Sequence, residues 1–348
     1  MSDVFRATAQ PRSLSPAARA GLDVARASAA LYVVAHHVVN VPGPIGVVFS
    51  FGQEAVLVFF LLSGFVIFAN EKSRVSSPAG YFLRRLRRIY PPIVLAMLVS
   101  LALWALGYIA SEPTWESAVG TLASLQDISF LKPGVIVDPF LGNDPLWSLS
   151  YEVFFYAIFP AVMIAWRRSE RATRMAVPGL AVLAYVTYLL APNHFSLVGA
   201  YFLVWWLGAM LANAYLNDTL SMKSLAPELL GQGVLVAAAL AGVALYGYNG
   251  LGFFPFLMVR HFVIALVLTA VLLVPTIRSG LSRMCMRIAG PGAAVASISY
   301  GIYVMHYPLM VQTRPTGLGI VGATILTILL AWVADKGLAR ILPKAPKG

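Results

Sequence analysis

The chain has 348 residues, of which 59% are hydrophobic and only 11% charged, and its formal net charge is +11. A soluble domain carries about 25% charged residues, so this composition excludes an ordinary soluble globule and points to lipid as the solvent. The positive balance fits membrane topology better than nucleic-acid binding, and no nucleic-acid partner is expected.

Residues 1–20 are polar, contain Pro11 and Pro16, and lack the apolar core and cleavage pattern of a signal peptide. They read as a disordered cytoplasmic tail. A single membrane domain is expected over 21–340, followed by a short cytoplasmic tail over 341–348. Apolar windows of roughly 20 residues, the length that crosses a bilayer, recur through that domain. Ten spans are predicted near 24–41, 53–70, 89–110, 146–166, 175–191, 196–215, 232–247, 257–276, 294–312 and 317–335. The predicted fold is therefore all-α, a polytopic membrane protein. With the N-terminus inside, 21 of the 25 lysines and arginines fall in cytoplasmic segments, and only Lys132 and Arg314 fall outside. That asymmetry predicts an even number of spans with both termini cytoplasmic. The outer segment 111–145 is the longest between spans, and loops of that length are more often functional than idle.

Ionisable groups within spans are costly and usually face a cavity or a partner. In chain order, the first are Arg26, His36 and His37. Eleven helical steps leave Arg26 and His37 only about 20° apart around the helix and roughly 16 Å apart along it. They share a face, whereas His36 points about 100° away. Arg26 could simply snorkel to the interface. The functional alternative is a polar track, with Arg26 holding an anionic group and His37 performing proton or acyl chemistry. In "FFLLSGFVIF" (59–68), Gly64 marks close helix packing and Ser63 offers a hydrogen bond to a cavity. In "YFLRRLRRIYPP" (81–92), four arginines precede a predicted span. Topology anchoring explains part of the cluster. The excess, Arg85 and Arg88 above all, suits a phosphorylated ligand, aided by a helix start.

In "DPLWSLSYEVFFY" (144–156), Ser148 and Glu152 share a face at i, i+4. Glu152 is the one carboxylate placed within the body of a span, near its outer end. It could act as a base, hold a histidine in one tautomer, or make a structural ion pair, with Arg260 as a candidate partner. Arg260 and His261 form a further pair whose role is open. In "SISYGIYVMHYPL" (297–309), Ser299, Tyr303 and His306 line one face, although Tyr303, His306 and Tyr307 also fit an interfacial aromatic belt. The lone Cys285 makes no internal disulfide, and without a cysteine cluster no metal site is expected.

Together these motifs resemble the acyltransferase 3 family of multi-span membrane proteins. The resemblance rests on "LDVARASAALYVVAHHVV" (22–39), "FFLLSGFVI" (59–67), "YFLRRLRRIYPP" (81–92), "WSLSYEVFFY" (147–156) and "SYGIYVMHYPL" (299–309), in the family's order and with similar spacing. Its Arg-x10-His element maps onto Arg26 and His37, and its Arg-x-x-Arg element onto Arg85 and Arg88. Family members often carry a glycine beside the motif arginine, where this chain has Ala25 and Ala27. Some relatives append a soluble esterase-like domain, and none is expected here.

The resemblance implies an integral membrane acyltransferase of a bacterial plasma (inner) membrane. It implies transfer of an acyl group, commonly acetyl, from acyl-coenzyme A to a hydroxyl of a carbohydrate or lipid-linked saccharide. On that reading Arg26, Arg85 and Arg88 bind the coenzyme. His37 is the general base or a transient acyl carrier. Glu152 orients or balances that histidine, and Ser63, Ser148, Tyr303 and His306 line the acceptor side or stabilise the oxyanion. The rival class is a proton-coupled secondary transporter, against which stands the lack of paired repeats with matched broken helices.

Overall fold

A computed structural model describes residues 13–39, 41, 43–72 and 78–341. The parts of the expected tails over 1–12 and 342–348, and Arg74 of the expected inner loop, lie outside the described residues. The remainder is helical, and among the described residues the only β-pairing is one isolated bridge between Gln126 and Val137.

The first helix, α1 (Pro16–Val38), starts earlier than the predicted span because Ser15 caps it, its Oγ accepting from the Ala18 N–H at 3.1 Å, and Pro16 presets the first turn. After it come α2 (Gly52–Glu71), α3 (Pro78–Ala105), α4 (Trp147–Arg168), α5 (Glu170–Leu190), α6 (His194–Leu216), α7 (Ala226–Tyr246) and α8 (Phe256–Leu273). A shorter pair, α9 (Ala289–Ala296) and α10 (Ser299–His306), leads into a π-helical stretch Tyr307–Gln312 and then α11 (Leu318–Trp332). Ser169 and Asn193 cap α5 and α6 in the same manner as Ser15. Helices satisfy their own backbone, which is why the bilayer admits them.

Eight helices are long and apolar enough to cross a membrane, and a ninth span results if α9 and α10, bent by 54° at the break between them, count as one. The protein is an integral membrane protein. The expected ten is reduced because α1, with Arg19, Asp23, Arg26, His36 and His37 along it, does not join that set. A second correction concerns the arginines at 84–88. They lie inside α3, two to three turns beyond its start at Pro78, so they do not sit at a helix N-terminus and the helix dipole does not aid them.

The bundle is organised around α6, whose side chains are buried over nearly its whole length. It packs along α2 backbone to backbone. A Cβ on Gly64 would collide with the Trp205 carbonyl, and one on Gly208 with the Leu61 carbonyl. Small residues facing each other this closely substitute for the hydrophobic drive that lipid withholds. Around the contact the Phe60 ring meets Phe155 and Tyr201 edge to face and stacks with Tyr151, Tyr151 meets Tyr201 edge to face, and Trp205 lies tilted against Phe155.

The long segment between α3 and α4 is folded. It carries a short helix, Trp115–Leu122, and a buried ion pair in which Lys132 Nζ lies 2.8 Å from Asp127 Oδ1. Tyr151 donates to Asp127 Oδ2 at 2.6 Å, and the Lys132 ammonium lies 4.2 Å from the centre of the Trp147 ring. Burial works against the charged carboxyl, but Lys132, with His194 and Tyr151, holds Asp127 below the usual carboxylate range. The pair pins this segment over the end of α4.

Candidate functional site

Two cavities meet in the bundle, and a single side chain, Tyr303, lines both. The first, about 230 Å³, is lined by Arg26 of α1, Ser63 of α2, Arg85 and Arg88 of α3, and Ser148 and Glu152 of α4. The second, about 280 Å³, is lined by His36 and His37, by Gln53 and Glu54, by Asp144 just before α4, and by Arg260 of α8. The first is called here the arginine cavity and the second the histidine cavity.

The arginine cavity brings together Arg26, Arg85 and Arg88, the three arginines expected to hold a phosphorylated ligand. Arg84 makes a bidentate pair with Glu71, at 3.0 and 2.6 Å, and Arg85 shares that carboxylate at 3.0 Å. Arg84 thus anchors Glu71, and Arg85 is fixed at one nitrogen while its Nε is buried without a partner. Arg26 lies within electrostatic range of Arg88, Glu152 and Tyr156. Guanidinium groups converging this way repel one another until an anion lies between them. The polar wall opposite is a chain: Trp205 Nε1 donates to Ser63 Oγ at 3.2 Å, Ser63 bonds the Tyr156 hydroxyl at 3.2 Å, and that hydroxyl donates to Glu152 Oε1.

Glu152 lies in the second turn of α4, as expected near one end of its span, but not beside His37. It sits in the arginine cavity and spends one oxygen on Tyr156. Nor does it pair with Arg260, which binds Glu54 at 2.7 Å. Ser63 and Ser148 likewise line the arginine cavity.

His37 has a different partner. His306 Nε2 lies 3.1 Å from His37 Nδ1, which is also 3.0 Å from the Val33 carbonyl. His306 Nδ1 lies 2.8 Å from the Tyr303 carbonyl and 3.2 Å from that of Ile302. A carbonyl only accepts, so both Nδ1 atoms carry hydrogen. In the neutral rings, His306 Nε2 then accepts from His37 Nδ1–H, and the lone pair of His37 sits on Nε2. The same logic applies to His36, whose Nδ1 is 2.5 Å from the Phe49 carbonyl. His306 is fully buried behind His37. Tyr307 packs edge-on against the His37 ring at 5.1 Å and donates to Asp144 Oδ2 at 2.9 Å.

Tyr303 closes the boundary between the cavities. Its hydroxyl donates to the Pro145 carbonyl at 2.7 Å and lies 2.8 Å from Ser148 Oγ. The face shared by Arg26 and His37 does run from one cavity to the other, but the track is interrupted at this phenol. Helix α10 carries Ser299 and Tyr303 into the arginine cavity and His306 to the back of His37. The π-helical turn begins immediately after His306, and such turns recur at functional sites.

Sequence reasoning missed Gln53, Asp144 and Asp335. Asp335 accepts the Gly301 N–H at 2.7 Å and so caps the start of α10 across the chain. Asp144 had a signal, an acidic residue directly before the motif that carries Glu152. Gln53 and Asp335 had none, because their roles depend on which helix lies opposite.

Comparison with known proteins adds the following. The family model described as an acyltransferase domain matches residues 19–336. Nodulation protein 10 of Rhizobium leguminosarum bv. viciae is 31% identical over 162 residues, 43% of this chain and 43% of that protein. The exopolysaccharide production protein ExoZ of Rhizobium meliloti (strain 1021) is 27% identical over 78% of this chain and 81% of its own. The peptidoglycan O-acetyltransferase OatA of Listeria monocytogenes is 26% identical over 84% of this chain and 50% of its own. The match thus spans less than half the length of nodulation protein 10 and half that of OatA. No solved structure matches.

Proposed function

The chain belongs to the acyltransferase family whose model covers nearly all of it, and from that premise we propose that it is a membrane O-acyltransferase. It moves an acyl group, acetyl in the simplest case, from acyl-coenzyme A to a hydroxyl of a carbohydrate or lipid-linked saccharide. The observation that carries the reading is the pair of cavities meeting at Tyr303, one gathering arginines and the other presenting the lone pair of a buttressed histidine. The charge asymmetry of the sequence supports a cytoplasmic arginine cavity and cytoplasmic termini in a bacterial plasma membrane. The relatives' names, exopolysaccharide production and peptidoglycan O-acetylation, support a polysaccharide acceptor.

The arginine cavity fits a phosphorylated donor because Arg85 Nε is buried without a partner and Arg26 and Arg88 line the same space. Arg26, Arg85 and Arg88 hold phosphate oxygens by charge-assisted hydrogen bonds. The bound thioester supplies the acyl group. His37 Nε2 takes the proton from the acceptor hydroxyl as its oxygen attacks the acyl carbon, and the resulting imidazolium returns that proton to the departing thiolate. His306 keeps His37 in the required tautomer. Tyr303, at the boundary, is placed to donate to the oxyanion once it leaves Pro145.

Purified protein incubated with labelled acetyl-coenzyme A tests this. Thiol release and acceptor labelling that vanish in His37→Ala are expected. Wild-type activity in that variant refutes the assignment, and counterflow of a solute without thiol release favours a transporter.

A further inference from the structure

The polar groups of the histidine cavity differ in kind from those of the arginine cavity. Its one cationic side chain among the described residues, Arg260, is bound at each of its three nitrogens: Nε lies 2.7 Å from Glu54 Oε1, one terminal nitrogen donates to the Leu251 carbonyl at 2.9 Å, and the other donates to the Ser50 carbonyl at 3.1 Å. The guanidinium also lies over the Phe51 ring. Glu54 therefore neutralises the charge of Arg260, and an anion in this cavity would have to compete with that carboxylate for it.

What remains presents lone pairs. His36 and His37 each use Nδ1 on a backbone carbonyl, leaving Nε2 to accept. Asp144 receives Tyr307 at one oxygen, and its other oxygen has no protein donor among the described residues. Gln53 Oε1 is buried without a partner, and its carboxamide is a neutral group able both to give and to accept. Phe130 and Phe253, 64% and 44% exposed, stand in the wall as uncommitted apolar surfaces.

We infer that the histidine cavity seats an electrically neutral polyol, whose hydroxyls donate to Asp144 and exchange hydrogen bonds with the Gln53 carboxamide. An uncharged sugar residue has this chemistry: it brings several donors, its apolar ring faces suit the phenylalanines, and it carries no charge for the cavity to neutralise. A uronate or a phosphosugar would place its anion beside Asp144, with the one cation of the cavity already neutralised by Glu54. Because Tyr307 links Asp144 to the His37 ring, a hydroxyl docked on the carboxylate lies next to the proposed base. The inference rests on the acyltransfer reading only for what then happens to that hydroxyl.

The test is equilibrium dialysis of the full chain in detergent with two radiolabelled probes of equal length, a neutral gluco-oligosaccharide and an oligogalacturonate. The neutral probe is expected to bind at least tenfold more tightly. Asp144→Ala should weaken it about tenfold or more, and Gln53→Lys should narrow or reverse the preference. Equal or tighter binding of the uronate by the unaltered protein overturns the inference, as does failure of the neutral probe to bind. Because this comparison uses the unaltered chain, misfolding of a variant does not blunt it. Thiol release from labelled acetyl-coenzyme A is measured in parallel. Selective binding of the neutral probe without thiol release refutes the acyltransfer reading and leaves the polyol site standing.

Discussion

Replacing His306 by leucine isolates the contribution of the second histidine to the proposed chemistry. In the folded protein the His306 ring is fully buried and gives His37 one 3.1 Å hydrogen bond. Removing it does not orphan the His37 Nδ1–H, because the Val33 carbonyl remains 3.0 Å away. The loss is therefore one partner and some freedom of the ring, not a buried unsatisfied donor. A lost hydrogen bond of about 1–1.5 kcal/mol, together with loosened geometry, totals about 1–3 kcal/mol, or roughly 5- to 150-fold in rate. That should appear in kcat, with KM for acetyl-coenzyme A unchanged, since the arginine cavity is untouched. Removing the base itself in His37→Ala should cost more, about 10²- to 10⁴-fold. The double variant should be no slower than His37→Ala, because His306 acts only through His37. The assay is steady-state thiol release, with melting temperatures confirming that each variant is folded. Unchanged kcat in His306→Leu, or an additive loss in the double variant, refutes the relay.

Arg85→Gln is expected to raise KM for acyl-coenzyme A about tenfold or more with little change in kcat, and unchanged donor affinity would make the arginine an anchor for Glu71 alone. Lys132→Met leaves Asp127 buried without its cation and should cost about 3–5 kcal/mol of stability, read as a large fall in melting temperature or loss of folded protein. The same pair sets an acid limit. Since the folded Asp127 carboxyl lies below its ordinary value, its stabilisation is fully present above about pH 4 and is lost as pH falls through the lowered value. A melting temperature that declines on acidification in the unaltered protein, and declines less in Asp127→Asn, checks this sign. Gly64→Ala drives a methyl into the Trp205 carbonyl and should cost about 1–3 kcal/mol, seen as a lower melting temperature with KM for both substrates preserved in whatever folds.

Much of this architecture was legible because the bilayer imposes strong rules on sequence. Apolar length marked the spans, and the cost of burying charge marked Arg26, His37 and Glu152. Helical arithmetic placed Arg26 and His37 on one face, and the structure puts those residues at two cavities along it. Two kinds of information were not legible. One is pairing across helices. Arg260 chose Glu54 and His37 chose His306, and nothing local to either sequence stretch encodes which helix lies opposite. The other is the difference between a charged loop and a charged helix. The arginines of "YFLRRLRRIYPP" read as a flank because of their charge, yet α3 continues through them and through Pro91 and Pro92. Similarly, α1 read as an ordinary span although its polar groups serve the cavities on either side of Tyr303.

The Asp335 contact bears on when the site comes into being. The N–H of Gly301 that opens α10 is bound by a carboxylate 34 residues further along the chain, beyond the last long apolar helix. Synthesis proceeds from the N-terminus, so the cavities' other walls emerge first and the helix bearing Tyr303 and His306 waits for its cap. Until α11 and the turn after it are in place, the helix that carries His306 lacks this cap, and the Val33 carbonyl of its own helix is the partner left to His37. On the proposed mechanism the histidine relay is thus the last part of the site to be completed during synthesis, and an unfinished chain would have little means of consuming an acyl donor.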